Sequence, residues 1–193
     1  GPKRPPPAPG KSMFIGAKIE STKHRETKFD DYKRQPLLPH KHSQLGPGTA
    51  IGDIDGDGLE DLFFGGANGQ SASILIQQKQ GGFKPLKSNA LEKDKAHEDM
   101  GALILDFNGD ANLDLFVVSG GVECQPGDPV LQDRMYLNTG GGNMVRAPEK
   151  FFPSQKESGS IATACDFDRD GDLDLFVGSR VIPGKYPLSP KSY

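Results

Sequence analysis

Fifteen residues in three short runs carry the chemistry legible in this chain. The runs are Asp53-Ile-Asp55-Gly-Asp57-Gly-Leu59-Glu-Asp61, Asp106-Phe-Asn108-Gly-Asp110-Ala-Asn112-Leu-Asp114 and Asp166-Phe-Asp168-Arg-Asp170-Gly-Asp172-Leu-Asp174. Each sets a carboxylate or amide at positions 1, 3, 5 and 9. Position 7 (Leu59, Asn112, Asp172) adds a main-chain carbonyl. Oxygens this dense repel one another unless a cation sits among them, and calcium, a hard ion that takes six to eight oxygens, is the natural occupant. Magnesium suits the set less well, because it prefers fewer protein ligands and more waters. Position 9 returns a carboxylate able to bind with both oxygens. Glycine at position 6 permits the turn with positive φ that Gly58 and Gly171 supply. Ala111 stands there in loop 2, where a left-handed alanine costs about 1 kcal/mol. Loop 2 also carries Asn108 in place of an aspartate, so of three calcium ions expected, the one at Asp106–Asp114 is the weakest.

The EF-hand, the rival calcium motif, needs glutamate at position 12 and a helix on each side. Position 12 is Phe64, Val117 and Val177, and the flanks are β-type. A plain Asp/Gly surface turn explains one such stretch. It does not explain three in register, each followed by Leu-Phe.

The elements that position the loops repeat with them. A short apolar run precedes each loop: Thr49-Ala-Ile-Gly52, Ala102-Leu-Ile-Leu105 and Ile161-Ala-Thr-Ala-Cys165. A second begins on its last ligand: Asp61-Leu-Phe-Phe64, Asp114-Leu-Phe-Val-Val118 and Asp174-Leu-Phe-Val177. Third strands are expected at Ser73–Gln77 and Arg134–Asn138, and shorter fourth strands near Gly82–Pro85 and Asn143–Arg146. Four strands in about 50 residues is the size of a propeller blade. The expected fold is all-β: a partial β-propeller of four-stranded blades, with a calcium loop between the first two strands of each. The blades are 46–98, 99–158 and 159–193, the last broken off where its third strand should begin. Closed propellers have more blades, so the expectation is a piece of a longer protein or closure by self-association.

Residues 1–12, with five prolines, read as a disordered arm. Its opening Gly-Pro reads as a processed or tag-cleaved terminus. Residues 13–45 read as a strand (13–19) and an irregular segment. No run approaches the ~18 apolar residues of a membrane span, and no signal peptide is evident. Gly and Pro make 41 of 193 residues, which suits a turn-rich β protein.

The net charge of −3 hides a segregation. Thirteen of 26 acids lie in the loops, whose formal charge is −12, leaving +9 elsewhere. The bases are scattered, with no aromatic-basic stripe, so nucleic acid is not an expected partner. Cys124 and Cys165 resemble no CxxC site. They read as buried free thiols, with a disulfide as the alternative. His40-Lys-His42 reads as a polar loop or, less simply, as two zinc ligands. His24 and His97 read as surface residues.

The DxDxDGxxD loop, the Asp-Leu-Phe strand and the Gly-Gly turn downstream resemble the FG-GAP/VCBS repeats of integrin α-subunit heads and bacterial surface proteins. His24–Phe29, Pro36-Leu-Leu-Pro39, Ser43, Gly46-Pro47, Gln132-Asp-Arg-Met-Tyr136 and Gly178–Pro183 are similar to the bacterial subgroup associated with ASPIC/UnbV domains. The resemblance covers about Phe14 to Tyr193. It implies a β-propeller, calcium as a structural ion, and a secreted, periplasmic or cell-surface location. The implied role is protein or glycan interaction without catalysis. Two alternatives stay open: part of a polysaccharide-processing enzyme on the same scaffold, or a purely structural spacer.

Overall fold

The computed structural model describes Ile19 and residues 23–193. The expected arm (1–12) and strand (13–19) lie outside the described residues, Ile19 excepted. Two four-stranded antiparallel sheets and one two-stranded sheet follow one another along the chain. The first holds β1 (Thr49–Gly52), β2 (Asp61–Phe64), β3 (Ser73–Gln77) and β4 (Phe83–Leu86). The second holds β5 (Asp99–Leu105), β6 (Asp114–Ser119), β7 (Arg134–Asn138) and β8 (Met144–Arg146). The third pairs β9 (Ser158–Cys165) with β10 (Asp174–Val181). Strands are adjacent in chain order, the meander expected of short strands joined by Gly-rich turns.

Register repeats with the sequence. The third residue after the last loop aspartate is Phe64, Val117 or Val177. Phe64 faces Ser73, the first residue of β3, and Val117 faces Arg134, the first of β7. Val177 exchanges two main-chain hydrogen bonds with Tyr193, at 2.6 and 3.1 Å. Tyr193 therefore sits where the third strand opens in the other two repeats.

β6 explains how the sheets stack. All six of its residues are buried. Leu115 and Val117 join a core cluster with Ile54, Phe63, Ile74 and Ile76 of the first repeat. Phe116 and Val118 point the other way, into a cluster with Ala162 and Val177 of the third. A strand buried on both faces reads as an unbroken apolar run, and Leu-Phe-Val-Val is that run. The first strands meet most closely: β5 contacts both β1 and β9. A Cβ on Gly48 would stand 2.7 Å from the Gly101 nitrogen, so glycine there lets backbone approach backbone.

Two short helices depart from the sequence expectation. α1 (Asp31–Arg34) lies in the segment read as irregular, and α2 (Asn89–Lys93) links the first two sheets. Ser88 caps α2 by accepting the Leu91 N–H, and Leu91 is buried. Elements of four or five residues are too short for a 3.6-residue period to show.

Cys124 and Cys165 are both free thiols, Cys124 half-buried and Cys165 exposed. The expected burial fails for Cys165 because no further sheet packs over that stretch of β9 among the described residues. The two histidines expected at the surface are half-buried instead. His24 Nε2 lies 2.6 Å from Glu26 Oε1. His97 Nδ1 lies 2.9 Å from the Val130 carbonyl, and burial pulls its imidazole down to about 4.

Candidate metal centre

Each acidic loop joins the first two strands of its sheet, so strand pairing fixes positions 1 and 9 side by side. Gly52 faces Asp61, Leu105 faces Asp114 and Cys165 faces Asp174. The intervening residues must then turn twice within the loop. They do so at two left-handed positions. Position 6 is Gly58 (φ 87°), Ala111 (68°) and Gly171 (97°). Position 4 is Gly56 (80°), Gly109 (75°) and Arg169 (64°). The second of these positions escaped the sequence reading, although glycine there in two of the three loops signalled it.

The position-1 carboxylate organises the turn. Asp53 Oδ1 accepts the N–H groups of Gly56 (2.9 Å) and Asp57 (3.0 Å), and Oδ2 accepts that of Gly58 (2.8 Å). Asp106 does the same for Gly109, Asp110 and Ala111 at 2.8, 3.2 and 2.9 Å. In loop 3 Asp166 Oδ2 accepts the Gly171 N–H at 3.3 Å. Positions 3 and 5 each accept the N–H two residues on: Asp55 from Asp57, and Asp57 from Leu59. Such local Asx turns suit Asp and Asn to this loop.

The position-9 carboxylate has a second task. Asp61 is fully buried. Its Oδ2 accepts the Ile54 N–H and its Oδ1 the Gln77 N–H, both at 2.8 Å. Asp114 accepts Phe107 (3.1 Å) and Asn138 (2.8 Å) in the same way. The residue thus pins its own loop to the end of the third strand. Among the described residues Asp174 keeps only the loop bond, to Phe167 at 2.8 Å. Asp61 Oδ2 also accepts the Asp55 N–H at 3.4 Å, and the second lone pair on its Oδ1 is left for coordination.

Three carboxylates converge in two of the loops. One oxygen each from Asp53, Asp55 and Asp61 lies within 4.8 Å of the others, and so do those of Asp166, Asp168 and Asp174. Asp57, Asp170 and Asp172 lie outside these groups. Loop 2 brings no such trio together among the described residues. There the amides turn onto Asp110: Asn108 Nδ2 and Asn112 Nδ2 each donate to it at 3.0 Å. The Asn112 main-chain N–H, aided by those amides, holds the Asp110 carboxyl below its usual range.

Burial pushes the carboxyls of Asp61 and Asp114 up, against the pull of their N–H donors. Asp55 adds like charge at Asp61. A buried carboxylate beside two others lacks a countercharge, and a divalent cation among the three oxygens supplies one. The donors are all oxygen, the chemistry of calcium rather than of a soft metal. The residues present fit the ion, best in loop 1, where the trio is half-buried or buried; in loop 3 it is exposed. His40 and His42 hold their rings 4.7 Å apart, but no third donor joins them in a metal-ligand group among the described residues.

The loops also join the repeats. Asn138 Nδ2 donates to the Ile54 carbonyl of loop 1 at 2.8 Å and to the Leu113 carbonyl of loop 2 at 3.1 Å. Behind the sheets lies a buried polar chain that sequence reasoning did not assemble, though Gln132–Tyr136 had stood out. Arg134 pairs with Asp99 and donates to Ser119 Oγ and Tyr136 Oη, both at 3.2 Å. Tyr136 Oη donates to Asp94 at 2.7 Å, and Arg146 pairs with Asp94.

No helix among the described residues is long and apolar enough to cross a membrane. No curated protein matches the chain. A family model described as an FG-GAP-like repeat matches it twice, over residues 53–117 and 106–177. Each match opens on the first aspartate of one loop and closes on the strand behind the next, so each matched unit runs through two consecutive loops and the strands between them. Together the matches span well over half the chain, and it belongs to the FG-GAP-like repeat family.

Proposed function

We propose that this chain is a calcium-stabilised β-propeller segment, serving as a non-catalytic interaction module in an exported or cell-surface protein of the ASPIC/UnbV-associated subgroup. The observation that carries it is the convergence of Asp53, Asp55 and Asp61, repeated by Asp166, Asp168 and Asp174. Calcium binds up to three loops, with Asp106–Asp114 the weakest because Asn108 replaces a carboxylate and Asp110 is engaged by amides. The ion neutralises self-repelling oxygens and fixes the loop between the first two strands. Its binding to the folded state alone raises stability by mass action.

Sheets stacked through their first strands support a radial arrangement of blades. The unassigned surfaces of such an array suit a protein or glycan ligand. The loop carboxylates fit a metal role, which needs them ionised, better than acid–base chemistry. Thermal melts of metal-stripped protein should fall below those in calcium, by about 2.7 kcal/mol of stability per site at a hundred-fold excess over Kd. Identical melts in calcium and in chelator, after removal of tightly held ions, would reject this reading. Glycan turnover by the chain would move it to the enzyme class.

A further inference from the structure

At the end of β5 and β6 farthest from their acidic loop, Glu98 precedes one strand and Glu123 follows the other. Both line a cavity of about 10 Å³, room for one water-sized sphere, with Asn68, Gly120, Cys124 and Val130. Glu98 is 5% exposed, and its Oε1 has no hydrogen-bond partner among the described residues. A buried carboxyl left in this way calls for a partner. Glu123 is better held: Thr27 Oγ1 lies 2.6 Å from both of its oxygens, and Asn68 Nδ2 donates to Oε2 at 3.3 Å. With its nitrogen turned to Glu123, the Asn68 side chain has an amide oxygen with no partner among the described residues.

Bases on the surrounding elements are committed elsewhere. Arg34 donates to the Val122 and Cys124 carbonyls at 2.7 Å and to Gln125 Oε1 at 3.1 Å. His24 is paired with Glu26, and Arg134 with Asp99. Burial, then the charges of Glu26, Glu123, Asp99 and Asp31, push the Glu98 carboxyl up to about 8. Burial likewise lifts the Cys124 thiol to about 11, so this wall presents no thiolate to attract a soft metal.

We propose that this cavity is a cation site separate from the three loops, holding one small hard ion between the carboxylates of Glu98 and Glu123 and the amide oxygen of Asn68. Two acids match the charge of a divalent ion, and the donors are oxygen only. Asn68 belongs to the first repeat, both glutamates to the second, and Thr27 to the segment before them. An ion here ties all three together, which no loop ion does.

The test is a count of bound calcium on the full chain after equilibrium dialysis, with melts in calcium and in chelator. Glu98→Gln should hold one ion fewer than the wild type and gain less from calcium. In chelator it should melt at or above the wild type, because a neutral amide has replaced an uncompensated acid. Glu123→Gln should lose the same ion, and it carries the test if Glu98→Gln fails to fold. In a background of Asp55→Asn and Asp168→Asn, which weakens the loops, Glu98→Gln should still remove one ion; this separates the cavity from the loop reading. Equal ion counts with and without Glu98→Gln, in both backgrounds, would overturn the proposal and leave the cavity to a proton or a water.

Discussion

Replacing Asp61 by asparagine separates the two tasks the structure gives to position 9. The Asp61 carboxylate accepts Ile54 N–H at one oxygen and Gln77 N–H at the other. Asparagine has one acceptor oxygen, and its NH2 would face a main-chain N–H. One buried donor is left unpaired, at about 1–3 kcal/mol. Burial already disfavours the Asp61 charge, and removing that charge offsets part of the cost in chelator, so about 1–2 kcal/mol is expected. For a chain of this size that is roughly 2–8 °C in Tm. Asp57 is the control. It is exposed and accepts one N–H, from Leu59 at 3.0 Å. An asparagine there keeps that acceptor, so Asp57→Asn should change stability in chelator by less than about 0.5 kcal/mol. Both variants should lose part of the calcium-dependent gain. Melts followed by circular dichroism, in chelator and in calcium, measure both terms. If Asp61→Asn and Asp57→Asn behave alike in chelator, the argument from strand pinning is wrong.

Ala111→Gly should stabilise the protein by about 0.5–1 kcal/mol, since relief of a left-handed alanine (~1–2 kcal/mol) exceeds the chain entropy that glycine adds; chemical denaturation reads the difference. The equivalent glycines Gly58 and Gly171 have open space where a Cβ would stand, so only backbone strain is at issue. Stability should also depend on pH through Asp133. Asp133 is buried, accepting the Ser119 N–H at Oδ1 and the Tyr193 hydroxyl at Oδ2; burial pushes its carboxyl up to about 6. A raised folded value stabilises the fold below the ordinary carboxylate range, and that contribution is lost as pH rises through 6. The stability of wild type relative to Asp133→Asn should therefore drop by up to about 3 kcal/mol between pH 4 and pH 7, as urea melts at the two pH values would show.

The strands and loops were legible because three copies of one pattern align, and Asp-Leu-Phe marks where the second strand begins. The all-β class and the starts of the second and third strands followed from that alignment, whereas β5 and β9 begin three residues before the apolar runs at Ala102 and Ile161. What escaped notice depends on contacts distant in sequence. Nothing near Asp61 in the chain says that Gln77 will donate to it, sixteen residues on. The Asp99–Arg134 pair spans 35 residues and closes only when the second sheet sets β5 and β7 on either side of β6. Glu98 looks like any exposed acid before a strand, and only the fold shows it buried. His97 was misread for the same reason: its neighbour Val130 arrives from another turn.

Position 2 of the loops shows how far each repeat depends on its neighbour. Ile54 is 2% exposed, Phe107 is half-buried and Phe167 is 84% exposed. The three residues hold the same place in the same turn, so local sequence does not set the difference. Ile54 shares a core cluster with Leu115 and Met144 of the second repeat, and Phe107 packs against the cluster that Phe116 forms with Ala162 and Val177 of the third. Phe167 has no such sheet across from it among the described residues. The carboxylates follow the same order. Asp61 and Asp114 are buried with donors from a third strand, while Asp174 is exposed with one bond from its own loop. Burial raises the cost of an unneutralised carboxylate, and the donors hold it in place before any ion arrives. A neighbouring repeat therefore does more than bury apolar surface: it sets how strongly the loop beside it calls for a cation.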